Sequence, residues 1–252
     1  PNSGAQPAPQ GVVPSPIRTQ LDMLKIREQQ GTPVRRFGMR YRIELSDPAS
    51  NADRIVRAID ELCDAVEQFA RESGGIAVIS DRHVSSDRAA MPLIIVISAI
   101  NQRLIEEGLR LRVSLIAESG QLCSSHHVAA VLGFGASAVY PLAVQMRAEE
   151  KYGADADKAF KHFAKAAEKS LMKTMGRVGL CTVESYIGGE FFEPNYLDTS
   201  DPVLHRYFPN VVSPVAGVGF STLATAVALS LIHISEPTRP LYISYAVFCL
   251  KK

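Results

Sequence analysis

A chain of 252 residues that is 46% hydrophobic and 21% charged has room for one large or two small domains, and is too apolar for an intrinsically disordered protein. Lys+Arg at 27 against Asp+Glu at 26 leaves a net charge of +1, without the basic excess of a dedicated nucleic-acid binder. The 4 cysteines, Cys63, Cys123, Cys181 and Cys249, form no C-x-x-C pair, which excludes the usual zinc and thiol-exchange motifs and fits reduced thiols in the cytoplasm.

Residues 1–16 carry five prolines among Gly, Ser, Gln and Ala, the composition of a linker or mobile arm. No basic n-region precedes an apolar h-region, so no signal peptide is expected. The pattern predicts a short helix over 17–28. Residues 31–42 then hold Arg35, Arg36, Arg40 and Arg42 interleaved with Phe37 and Tyr41, which reads as a solvated connecting segment. The lead-in is therefore 1–47.

Regular structure is expected from 48 to 228. Ser50 with Asp53 three residues later marks a helix start, and Ile55, Ile59, Leu62, Val66 and Phe69 recur at helical spacing. Gly74-Gly75 ends that helix before an apolar, β-branched strand at 76–79. Pro92 opens a helix over 93–105 as its first residue. A second strand at 112–117, a helix over 127–132 and a third strand at 136–140 follow. A polar connection leads to a helix over 157–175. Its stripe of Lys161, Lys165, Lys169 and Lys173 reads as a solvated face. A fourth strand is expected at 179–183. Alternating strands and helices make this an α/β chain of parallel units, a partial (β/α) barrel-like domain. Residues 211–234 hold no charge, but Ser213, Pro214, Gly217 and Gly219 dilute the run and no basic cluster flanks its start, so no membrane span is expected.

In such folds functional groups sit where strands end. That singles out Asp81 and Arg82, then Glu118, Ser119 and Gly120, then Tyr140-Pro141, and finally Glu184 and Tyr186. His126 and His127 follow Cys123 on one helix, where a nucleophile and base rarely converge, so packing or helix-terminus roles are expected. The run from Glu118 to Pro141 has the layout of the phosphate-binding quarter of a flavin-dependent barrel. Gly120 is the one glycine of its loop, and no basic residue stands nearby to pair with phosphate. The strand-end residues are left as candidates of unknown role.

The blocks IAVISDR (76–82), Met91-Pro92, LIEEGLRLRVSLIAESG (104–120), HHVAAVLGFGASAVYP (126–141) and SLMKTMGRVGLCTVESYIGGEFFEPNYL (170–197), in this order, resemble the central domain of the glutamate synthase large subunit. The departures are Gly176 to Thr182, where many members read Ser-Lys-Met-Gly-Ile-Ser-Thr, and Gly188 to Glu193, where they often read Gly-Ala-Gln-Ile-Phe-Glu. Tyr140 also replaces the Asn usual before Pro141. The resemblance implies an enzyme that makes glutamate from glutamine and 2-oxoglutarate. Its amidotransferase domain releases ammonia, and its FMN domain with an iron–sulfur cluster completes the reduction. The central domain joins the two, helps carry ammonia, and resembles a flavin barrel without binding flavin. The implied partners are those two domains of the same chain and a small electron-transfer subunit, with no nucleic acid and no membrane. No catalytic, cofactor-binding or metal residue carries over to this chain. The alternative is a freestanding phosphate- or flavin-binding β/α enzyme. After Ala228 the pattern stops, and LSLIHISEPTRP (229–240) reads as translated sequencing adaptor, which sets 229–252 apart as a non-native tail. Three or four β/α units cannot close a barrel, so uncovered sheet edges are expected.

Overall fold

In a computed structural model of the chain, residues 15–44, 46–215, 217–234 and 248–250 are described. In chain order the elements are α1 (Gln20–Glu28), β1 (Val34–Gly38), β2 (Arg40–Arg42), α2 (Asn51–Glu72), β3 (Gly75–Ser80), β4 (Arg88–Ala90), α3 (Leu93–Glu106), β5 (Val113–Ser119), α4 (Ser125–Gly133) and β6 (Ala138–Pro141). They continue with α5 (Leu142–Tyr152), α6 (Ala156–Arg177), α7 (Val183–Tyr186), β7 (Phe192–Pro194), α8 (Pro202–Tyr207), α9 (Phe220–Ile234) and β8 (Phe248–Leu250). Four strands form one parallel sheet in the order β1-β3-β5-β6, and β2 pairs antiparallel with β4. The α/β class with parallel strands therefore holds.

The apolar stripe of α2 buries Ile55, Ile59, Leu62, Val66 and Phe69, with Phe69 edge-on to Phe37 of β1 at 5.8 Å. Helix α3 is buried on nearly every turn, as its continuous run of Leu, Ile and Val requires. Two glycines fix the turns into the sheet. Gly75 has φ +114 and its missing Cβ would lie 2.3 Å from the Pro33 carbonyl oxygen. Gly135, at φ +123, lies against Asn101, whose Oδ1 accepts from Arg110 Nε at 2.6 Å. Arg110 also bonds the carbonyls of Val113 and Gly135, so one half-buried guanidinium ties α3, β5 and the turn before β6 together.

Four expectations are corrected. Residues 34–42 are not a solvated connection: β1 is the edge strand beside β3, with Val34 opposite Ile76 and Gly38 opposite Ser80. An exposed arginine face on an edge strand hides the alternation that marks a strand. The polar connection after β6 contains α5, which buries Leu142, Gln145 and Ala148. No strand forms at 179–183. Gly179, at φ +77, turns the chain out of α6, and Val183 already begins α7. Pro92 is the residue before the first turn of α3 rather than its first helical residue.

The β6 edge is not left bare. Val139 donates to the Pro16 carbonyl and Arg18 donates to the Val139 carbonyl, both at 2.8 Å, in a parallel bridge centred on Ile17. The end of the lead-in thus satisfies edge groups that would otherwise invite pairing with another chain. Among the described residues no helix is long and apolar enough to cross a membrane. The expected adaptor-derived tail falls largely outside the described residues; the backbone of β8 pairs with β7.

Candidate functional site

Register places Gly38, Ser80, Glu118 and Tyr140 in one row across the carboxyl ends of β1, β3, β5 and β6. Side chains alternate along a strand, so this row shares a face with Arg36, Val78, Ile116 and Ala138 two residues earlier. Glu118 is fully buried at the centre of that row. Arg36 Nη2 stands 3.0 Å from its Oε2 and donates a longer bond of 3.5 Å to Oε1. Arg82 Nε donates to Oε1. Burial works against the charge on Arg82, but its hydrogen bond to Glu118 and that carboxylate's charge outweigh it and raise its pKa. Burial also raises the Tyr140 phenol, which Arg82 draws back and Glu118 pushes further. The buried carboxylate thus stands between two guanidinium groups and anchors both.

The second carboxylate has another task. Asp81 is buried, and Ser119 Oγ donates to its Oδ2 at 2.5 Å. Gly120 N–H lies 3.0 and 3.1 Å from the two carboxylate oxygens. Burial raises the Asp81 pKa, the bonds from Ser119 and Gly120 lower it, and the charge on Glu118 adds to the rise. The loop amide that would face a phosphate in an anion-binding turn is therefore already turned on a carboxylate of the chain itself. Gln121 completes the loop: its Oε1 accepts from Leu93 N at 3.0 Å and its Nε2 donates to the Met91 carbonyl at 2.9 Å. The start of α3 is thus closed by a residue that sequence reasoning passed over. Its one sequence signal is an amide immediately after the acid-Ser-Gly turn.

Cys123 and the histidines form no nucleophile–base pair. The Cys123 amide donates to His127 Nδ1 at 3.3 Å, and Ser124 Oγ caps α4 by accepting from His127 N at 3.2 Å. Burial raises the Cys123 thiol pKa and Asp81 raises it further, opposite to what an attacking thiolate needs. Burial and His126 lower the His127 pKa. The structure thus gives His127 a helix-terminus role.

Of the sequence candidates, Asp81, Arg82, Glu118, Ser119 and Gly120 come together, and Tyr140 and Arg36 join them. The other three do not sit at a strand end. His126 packs edge-on against Phe192 at 5.7 Å. Tyr186 is buried on α7, stacks on Phe191 at 5.5 Å and donates to the Ala129 carbonyl at 2.9 Å. Glu184 is exposed on the same short helix. Among the described residues no group of three or more His, Cys, Asp or Glu side chains is arranged to hold a metal ion.

The family model of the glutamate synthase central domain matches residues 2–197. The chain belongs to that family. Similar relatives include the large chain of NADPH glutamate synthase from Bacillus subtilis, 29% identical over 178 residues, which cover 69% of this chain and 12% of the relative. NADH glutamate synthase from Schizosaccharomyces pombe is 32% identical over 174 residues, 66% of this chain and 8% of the relative. Ferredoxin-dependent glutamate synthase 1 from Arabidopsis thaliana is 32% identical over 185 residues, 67% of this chain and 11% of the relative. The chain thus spans about a tenth of the length of these glutamate synthases. Among solved structures, a flavocytochrome b2 variant with benzoylformate aligns at a TM-score of 0.45 and 13% identity, covering 79% of this chain and 42% of that one.

Proposed function

We propose that this glutamate synthase central-domain chain is a segment of a larger enzyme that makes glutamate from glutamine and 2-oxoglutarate. In that reading it is a scaffold and not a catalytic centre. It joins an amidotransferase domain to an FMN domain that also carries the iron–sulfur cluster, and it lines part of the route ammonia takes between them. A small electron-transfer subunit would contact the same cytoplasmic assembly. Residues 229–252 are proposed to be foreign to it.

One observation supports the scaffold role most: Gly120 N–H and Ser119 Oγ are both committed to Asp81. A flavin phosphate at that turn would have to displace a buried carboxylate and then sit beside it, two like charges at close range. The residues present at this turn therefore do not fit FMN.

The test is equilibrium dialysis of the purified chain against FMN, read by flavin absorbance. No retention above the free concentration is expected. Stoichiometric retention with a shifted flavin spectrum would overturn the scaffold reading in favour of a freestanding flavin enzyme.

A further inference from the structure

Around Glu118 the cations outnumber the acceptors. Arg36 and Arg82 share this one carboxylate, their side chains 34% and 33% exposed against 1% for Glu118. A third arginine joins them. Gly38 occupies the β1 position of the Glu118 row, and the space where its Cβ would stand is filled by Arg40: Nη2 lies 3.2 Å away and Nε 3.4 Å away. Arg40 Nη1 donates to the His83 carbonyl at 2.8 Å, while its Nε is buried with no hydrogen-bond partner. An orphaned buried donor on a charged group calls for an acceptor. The other nearby carboxylate, Asp81, is engaged by Ser119 and Gly120, so it does not balance the cluster.

Each guanidinium has five N–H donors in a planar fork. Among the described residues the Arg36 guanidinium bonds only Glu118, and that of Arg82 bonds Glu118 and Tyr140. Both side chains remain about a third exposed, which leaves donors open to a ligand.

We propose that Arg36 and Arg82, held by the buried Glu118, and Arg40, held by the His83 carbonyl, form a binding site for an oxyanion, a carboxylate or a phosphate group, at the mouth of the sheet. The site is separate from the Gly120 turn, where Asp81 already fills the anion position. It does not depend on the glutamate synthase reading, because it rests on this chain's own arginines.

The test is calorimetric titration of the full chain at constant ionic strength, with inorganic phosphate in one arm and acetate in the other. Saturable binding of at least one ion is expected, and the tighter arm names the class. Arg36→Gln and Arg40→Gln should each weaken it about tenfold or more, the loss of one charge-assisted hydrogen bond. Lys165→Gln, on the lysine stripe of α6, should leave it within about twofold, since an exposed distant charge contributes little. Failure of both ions to saturate would overturn the proposal. So would equal weakening by Lys165→Gln, which signals diffuse charge rather than a site. Should an arginine variant not fold, side-chain Nε–H resonances of the unaltered chain decide: Arg36 and Arg82 signals that stay still at saturation also overturn it.

Discussion

Replacing Asp81 by Ala empties the anion position of the Gly120 turn without touching the row around Glu118. It removes the acceptor of the 2.5 Å bond from Ser119 Oγ and of the Gly120 N–H at 3.0 Å. A buried donor left without a partner costs about 1–3 kcal/mol, and two are exposed to that loss here. Burial already works against the ionised Asp81, so part of the cost is recovered when the charge disappears. A net destabilisation of about 2 kcal/mol is expected, which for a chain of this size lowers Tm by about 4–8 °C. Formate matches the lost carboxylate. If it refills the cavity with a Kd of about 10 mM, about 100 mM should restore about 1.4 kcal/mol of stability. The assay is thermal unfolding followed by far-UV circular dichroism, with formate compared with chloride at equal ionic strength. A loss below about 0.5 kcal/mol, the range of surface substitutions, would refute the view that Asp81 organises the turn. Equal gains from formate and chloride would refute the view that the turn is an anion position.

Three further outcomes are expected. Because burial raises the Asp81 pKa above its ordinary 3.8, this residue contributes most stability below that value and loses it as pH rises through the raised one. The stability of the unaltered chain minus that of Asp81→Asn should therefore fall with pH from about 4 upward in urea titrations; a difference that rises with pH contradicts the assignment. Gly135→Ala would place a Cβ 2.5 Å from Asn101 Cγ at φ +123, so a loss of about 2 kcal/mol or more is expected in urea unfolding. A loss within about 0.5 kcal/mol would show that the Arg110 and Asn101 joint can yield. Tyr186→Phe removes the 2.9 Å bond to the Ala129 carbonyl but keeps the stack on Phe191, so about 1 kcal/mol should be lost by the same measurement, and none if the bond contributes nothing.

How far the fold was legible depended on where each element buries its residues. Helices α2, α3 and α6 and strands β3 and β5 turn long apolar stripes or runs inward, and their positions follow from spacing alone. Strand β1 was hidden because its burial rests on Phe37 while its neighbours Arg35 and Arg36, on opposite faces, are both exposed. Helix α5 buries only three residues, too few to show a period. Residues 179–183 are apolar enough for a strand, yet the turn at Gly179 leads them into α7 instead. The functional row was half visible. An acid at the end of a strand marks Glu118, and Asp81-Arg82 mark the strand before it. The partner Arg36 lies 82 residues from Glu118, and no local spacing encodes that contact. Nor does spacing reveal that Asp81, rather than a ligand, occupies the Gly120 turn.

The central claim is membership in a larger glutamate synthase polypeptide, and the sequence of the intact gene on both sides of this segment tests it most directly. An open reading frame that continues upstream into an amidotransferase domain and downstream into an FMN domain is expected, with native sequence replacing residues 229–252. Stop codons that close the frame around a freestanding gene, with LSLIHISEPTRP present in the genomic DNA, would contradict it.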